Sequence, residues 1–429
     1  MANIVGEGSA PGEPGFDPMN DVEFTPETSS GPDGDSFTEV THRSWLERLM
    51  GAFVGVLIGL VLVLAMCGLL FWNEGRAVQT ARSLAEGGGA VVAVGSERVD
   101  PANDGKLVHL QGELTTGSPL LDPDLLVQAQ AARLVRNVAM YQWKEEKHTR
   151  TEKQLGGGEE TVTTYSYVRT WADHRIESGS FRQPGGHQNP EMRYAKFETT
   201  SRDASLGAFR PGPAVLQHLP IGQDLRVDTA AADRLRRQMG QRPVQASDGA
   251  LYIGRDPGAP QIGDLRITYR IAPIGSVSLI GRQAGADLGE FQTQAGDPLL
   301  MASPGLVPAA DMFRQAEQEN MILTWILRIA GLIVLWVAWF LILRPIAVVG
   351  DVVPFIGSVL AAGTGIASLM LAMILGPFVM AVAWFFYRPL IGVALIAASA
   401  AIVALLTLLA RRRQGRAVSG PSGGQAAPA

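Results

Sequence analysis

The run from Met50 to Trp72 carries no ionised side chain. Coiled as a helix with a rise of about 1.5 Å per residue, it covers the roughly 30 Å hydrocarbon core of a bilayer. The chain is therefore built around a membrane span. Three more apolar stretches crowd the C-terminal third: Ile322 to Leu343, Val359 to Tyr387 and Leu390 to Ala410. Arg328 lies near enough to the start of its stretch to snorkel towards headgroups. The stretch ending at Tyr387 is longer than a bilayer needs, so it tilts or leaves Gly363 and Gly365 outside the core. Residues 346–358 contain Asp351 and Pro354 among Gly and Val, which suits an interfacial or re-entrant piece with Asp351 as a helix cap.

These stretches predict four transmembrane α-helices with a large β-rich α+β extracytoplasmic domain inserted between the first and second. The expected division is a disordered acidic tail at 1–44, a first transmembrane helix at 45–72, the domain at 73–320, three helices at 321–410, and a basic, then Gly/Ala/Pro-rich disordered tail at 411–429. Residues 1–42 hold nine acids and no Lys or Arg; with Gly, Pro and Ser between them they bury too little apolar surface to fold. Arg411, Arg412, Arg413 and Arg416 follow the last stretch, and such clusters mark a cytoplasmic end. Four crossings put both termini there and residues 73–320 opposite. The sole cysteine, Cys67, excludes an intrachain disulfide. "LAMC" (Leu64–Cys67) places bulky Met66 where a lipoprotein cleavage site needs a small residue, so the first stretch reads as an uncleaved anchor.

Beyond Trp72 the segment "NEGRAVQTARSLAEGGG" keeps helical spacing through Ala77, Ala81, Leu84 and Ala85, with Arg82 and Glu86 as an i,i+4 pair and Gly87–Gly89 as a stop. The first helix is thus expected to continue over 73–89 and couple the span to the domain. Asn73, Glu74, Gly75, Arg76 and Glu86 form a candidate membrane-proximal structural motif, in which Glu74 or Arg76 pairs with a charge on the folded domain. Within that domain "MYQWKEE", "TVTTYSYVRTW" and "LVHLQGEL" read as strands, with "EKQLGGGEE" as a flexible connection. "LRITYRIAP" and "VSLIGRQ" read as a hairpin around Gly275. Helices are expected at "DPDLLVQAQAARLVR" and at "DTAAADRLRRQM", the latter capped by Asp228.

Catalytic and cofactor signatures are missing. Asp173, His174 and His187 are the best metal candidates, but no HExxH, CxxC or HxxxH spacing accompanies them. "GHQNP" reads as a turn in which His187 donates to a nearby carbonyl. There is no GxSxG elbow, and the glycines of "GEGSAPGEPG" and "GGGEE" lack the strand and helix a phosphate loop needs. No catalytic, metal or cofactor-binding residue is assigned, and no cofactor is expected. A net charge of −5, with its one basic block at the extreme C-terminal end, argues against nucleic acid.

An ordered series of motifs carries a resemblance: "LERL", "NEGRA" with "SLAEG", "GKLVHLQGEL", "VAMYQWKEE", "YSYVRTW", "GHQNP", "IGDLRITY", "GRQAG" with "QAGDPLL", "TWILR" and "FYRPL". Together they resemble the LUMA family, transmembrane protein 43 and its relatives, from about Leu46 to the last span. The resemblance implies a four-span protein with a large lumenal or extracytoplasmic loop and no catalytic residue set. Animal relatives reside in the endoplasmic reticulum and inner nuclear membrane and associate with themselves, emerin and lamins. The abundance of Ala, Gly and Arg points to a bacterial relative, to which lamin partners do not carry over. The expected location is the cytoplasmic (inner) membrane in a bacterium, or the endoplasmic reticulum and inner nuclear membrane in a eukaryote. The expected function is a non-enzymatic multipass scaffold that binds membrane lipid, further copies of itself and unidentified membrane proteins. The alternative is a lipid-binding or lipid-handling protein using an apolar pocket in the loop domain.

Overall fold

The computed structural model describes residues 36–239 and 243–389. The fourth expected span, most of the acidic tail and the whole C-terminal tail lie outside the described residues.

Helix α1 (Trp45–Ala90) starts at a capping box: the Ser44 hydroxyl accepts the Glu47 N–H at 3.3 Å, and the Glu47 carboxylate accepts the Ser44 N–H at 2.8 Å. Two N–H groups left over at the helix start are satisfied this way. Its 46 residues extend about 70 Å, far more than a bilayer core requires. It stops at the glycines Gly87–Gly89, where the Val91 N–H closes on the Gly87 carbonyl at 2.9 Å. A short α2 (Pro213–Leu216) and α3 (Thr229–Met239) belong to the domain, and α4 (Ala309–Gly350) and α5 (Pro354–Tyr387) complete the described helices. Helices α1, α4 and α5 are each long and apolar enough to cross a membrane.

These three helices pack through small residues. At Gly59 an added Cβ would sit 2.7 Å from the Ala338 carbonyl oxygen, so the α1 and α4 backbones approach as closely as a missing side chain permits. Leu70, Leu335 and Ala383 are fully buried between the helices, whereas Leu57, Leu64 and Ile374 face outward.

Between α1 and α4 the chain forms a large β-rich domain of two principal sheets and two two-stranded ones, with Ser36–Arg43 from before α1 joining the larger. In the larger, the strands lie in the order Ser36–Arg43, Glu159–Ala172, Ala131–Lys153, Leu265–Pro273, Ala250–Ile253 and Val244–Ser247. α3 covers this sheet through Ala231, Ala232 and Leu235, which join Leu134, Val138 and Ile267 in one core. Asp228 caps α3, its carboxylate accepting the Ala231 N–H at 2.7 Å. The smaller sheet is ordered Asp287–Gly289, Gly275–Ala284, Leu107–Thr116 and Val92–Gly95, the last pair parallel. Against it, Leu84 of α1 and Met312 and Phe313 of α4 pack on Leu107, Ile280 and Leu299. The domain is therefore seated directly on the ends of two membrane helices.

Several expectations are corrected. Residues 36–43, assigned to the disordered tail, form a strand paired with Glu159–Ala172. The helix expected at 122–136 is a turn leading into the strand Ala131–Lys153, because Leu126 takes φ 54° and the following residues pair with Leu265–Pro273. The strands flanking Gly275 are no hairpin. Leu265–Pro273 pairs in the larger sheet and Gly275–Ala284 in the smaller, so Gly275, at φ 128°, carries the chain between them. α4 starts at Ala309, inside the segment given to the domain, and continues through Pro345 to Gly350. Residues 346–358 comprise the end of α4, a tight turn and the start of α5, an arrangement that does not contradict the interfacial segment expected there, with Pro354 at the first helical position where its missing N–H costs nothing.

Finally, residues 73–320 do not all stay at one end of the helices. From about Tyr141 the strands Ala131–Lys153 and Glu159–Ala172 leave the sheet as a ribbon, with Ser36–Arg43 along one side. The turn of this arm reaches the other end of the bundle, where α1 begins.

Candidate functional site at the two ends of the helix bundle

At the domain end of the bundle, polar side chains from α1, α4 and α5 meet. Glu74 is 3% exposed and its carboxylate accepts from Arg328 twice, Nε at 2.6 Å and Nη2 at 2.8 Å. It also accepts from Trp384 Nε1 at 2.7 Å. Two residues on, Arg76 donates to the Asn320 and Thr324 side-chain oxygens at 2.9 Å each, while Asn73 donates to the Thr324 carbonyl at 3.1 Å. Asn320 returns a bond to the Ala77 carbonyl at 3.0 Å. A Cβ on Gly75 would lie 2.6 Å from the Tyr387 ring, and Arg82 donates to the Tyr387 carbonyl. These bonds bind α1 to both later helices.

Further along, α1 holds the domain. The Glu86 carboxylate accepts the Gln294 and Ala295 N–H groups at 2.9 and 3.2 Å. Gln79 and Thr80 each donate to the Asp297 carboxylate at 2.6 Å. Of the motif predicted from sequence, Asn73, Glu74, Gly75 and Arg76 gather at the contact with α4 and α5, whereas Glu86 lies about three turns further along α1 in a separate contact, a division of labour the sequence did not indicate. Glu74 pairs with a membrane helix rather than with a charge on the domain, Arg76 bonds neutral groups, and Glu86 turns to a domain loop instead of to Arg82. Arg328 does not snorkel; it is the counterion of Glu74. The missed partners Asn320, Thr324 and Arg328 recur every four residues on one face of α4, a readable signal that a polar stripe there needs a polar neighbour.

At the far end, Asp351 closes α4 and is 2% exposed. It caps no helix with its side chain; its carboxylate receives Arg48 of α1 at 2.5 Å and Lys153 of the arm at 2.6 Å. Arg48 also pairs with Glu159 at 2.8 Å and donates to the Gly157 carbonyl at 2.6 Å. Two further bonds complete the contact, from Trp45 Nε1 to the Val348 carbonyl and from the Gly156 N–H to the Val352 carbonyl. The arm turn is tight, Gln154 N–H to Gly158 carbonyl, with Gly156 and Gly157 at positive φ, where a loose connection was expected.

The metal candidates do not converge. Asp173 and His174 hydrogen bond to each other on the surface, which holds the Asp173 carboxyl below its ordinary pKa. His187 stacks on Tyr167 at 4.0 Å and its Nδ1 lies 3.0 Å from the Gln183 carbonyl. Burial and the Glu145 carboxylate push the Tyr167 hydroxyl up to about 12. Among the described residues no three His, Cys, Asp or Glu side chains gather for a cation. Glu74 with Arg328 at one bundle end, and Asp351 with Arg48 and Lys153 at the other, form buried ion pairs between elements, an arrangement suited to holding those elements together.

The transmembrane protein 43 family signature matches residues 140–389. Transmembrane protein 43 of Homo sapiens is 32% identical over 386 residues, covering 86% of this chain and 93% of the relative. The Mus musculus protein is 31% identical over 378 residues, 85% and 92% of the two chains. A Drosophila melanogaster homolog is 30% identical over 365 residues, 82% and 94%. No solved structure matches.

Proposed function

This chain belongs to the transmembrane protein 43 family, and we propose that it is a non-enzymatic multipass scaffold whose domain and arm bring copies of itself and other membrane proteins together. The observation that carries this reading is the arm. Its stretch from Tyr141 to Lys153 extends about 43 Å at roughly 3.3 Å per residue, and Arg48 to Asn73 of α1 rises about 37 Å. The ribbon therefore runs the depth of a bilayer to reach Asp351. It is polar on both faces, and from Lys144 to Lys153 no described strand pairs with its outer edge. Lipid cannot solvate such a ribbon, since open strand edges in hydrocarbon leave N–H and C=O groups unsatisfied. Another protein surface, or water enclosed by one, is the neighbour its chemistry asks for.

In this reading Leu390–Ala410 supplies a fourth crossing, the start of α1 and the C-terminus next to Arg411–Arg413 share the cytoplasmic side, and the body of the domain is extracytoplasmic. Lipid handling inside the domain draws less support, because the clefts of about 640 and 420 Å³ flank the helix exit, while those of about 290 and 310 Å³ on the domain are smaller and lined by mixed polar and apolar groups. Amine-reactive cross-linking in native membranes tests the proposal. Multimers or a recurring partner joined through Lys144 or Lys147 are expected; a strictly solitary protein overturns it.

A further inference from the structure

The cleft of about 420 Å³ between α1, α4 and the end of α5 has a feature that holding helices together does not require. Four ionisable groups line it. Glu74 and Arg328 neutralise each other. Glu317, on α4, and Arg388, just past α5, are exposed and have no ion-pair partner among the described residues, each other included. The cleft thus presents one unspent negative and one unspent positive charge from different elements. The rest of its wall combines Asn320 and Thr324, whose side chains bond to α1, with apolar groups, of which Met321 and Trp325 are more than half exposed; the adjoining face of α4 continues as exposed Ile322, Ile326 and Ile329.

Independently of the scaffold reading, we propose that this cleft binds the headgroup of a zwitterionic glycerophospholipid from the surrounding bilayer. Three observations converge. The site lies where the apolar run of α4 begins, flanked by Trp325 and Trp384, the depth at which tryptophan marks the headgroup layer. A headgroup with one phosphate and one ammonium complements one arginine and one carboxylate without leaving net charge: the phosphate accepts from Arg388, and the ammonium donates to Glu317. The glycerol backbone then covers Met321 and Trp325, and the acyl chains follow the isoleucine face. A free phosphate or a soluble headgroup meets only the polar half of this surface, which is why the lipid is the expected source.

The test uses the full-length protein, delipidated in detergent and given dioleoylphosphatidylethanolamine, dioleoylphosphatidylglycerol or free phosphoethanolamine, with retention read by native mass spectrometry. The wild type is expected to retain the ethanolamine lipid at least fivefold better than the glycerol lipid, and millimolar phosphoethanolamine is not expected to displace it. Glu317→Gln and Arg388→Gln are each expected to lower retention about fivefold. Neither side chain takes part in the bonds around Glu74, so the melting temperature is expected to stay unchanged. An ethanolamine lipid with a photoreactive headgroup should label the peptide containing residues 317–328, a readout on the unmutated chain. Equal retention of both lipids, displacement by free phosphoethanolamine, undiminished binding in the variants, or labelling confined to other segments each overturns the proposal.

Discussion

Glu74 shows how position in the fold decides what an ionisable residue does. Near a helix exit a carboxylate is ordinarily an anchor in water, but here it is 3% exposed and its oxygens are occupied by Arg328 and Trp384. Removing one partner of such a pair strands the other charge and costs about 3–5 kcal/mol, whereas replacing both by apolar or neutral groups is often close to neutral. Arg328→Met is therefore expected to lower the melting temperature of the detergent-solubilised protein sharply, and Glu74→Gln/Arg328→Met to recover most of the loss; a double variant as unstable as the single one would refute a charge-pair role. That Asn73, Glu74 and Arg76 have a structural task was legible from their place at the end of an apolar run. Their partners were not, because they are about 250 residues away and nothing local links Glu74 to Arg328.

Among the elements, α1 does the most. It is continuous from the arm contact at Arg48 to the domain contact at Glu86, and its close approach to α4 depends on Gly59. A valine there meets the Ala338 carbonyl and Ile342, so Gly59→Val is expected to destabilise the bundle by about 1–3 kcal/mol through overpacking. Gly68→Ala, with nothing within 4 Å of the added carbon, should be neutral or slightly stabilising. Thermal unfolding of the two variants in the same detergent checks the contrast. The helical continuation past Trp72 could be read because Ala77, Ala81 and Leu84 repeat at helical spacing. The segment from Asp122 to Arg136 misled for the same kind of reason: its alanines and leucines favour helix. A buried cluster overrides them, in which Arg136 grips both oxygens of Asp122 at 2.8 Å and the Tyr269 hydroxyl donates to the same carboxylate at 2.6 Å.

For the whole molecule, the arm makes the domain grip the helix bundle at both ends. In a Cys67→Ser background, Leu155→Cys and Val352→Cys place two exposed thiols beside the Gly156–Val352 hydrogen bond without disturbing Arg48, Lys153 or Asp351. A short bismaleimide applied to membranes is expected to link them within one chain, with either single variant unlinked. Absence of the link in membranes would mean that the arm leaves the bundle once lipid surrounds the helices. The arm strands themselves were recognisable from alternating β-branched and aromatic residues. The third strand was hidden, because Ser36–Arg43 continues an acidic, Gly/Pro-rich tail and gains its strand only by pairing with residues more than a hundred positions away.

By itself the sequence determined that apolar helices and a β-rich domain alternate in this order, since burial in lipid and strand alternation each impose a local pattern of polarity. It also determined that the first helix outlasts the bilayer, because helical spacing is local too. Only the tertiary structure decided which charge meets which, how the two sheets divide the strands around Gly275, and that a polar arm returns to the start of α1. Those outcomes depend on contacts between distant residues, whose identity no local periodicity encodes.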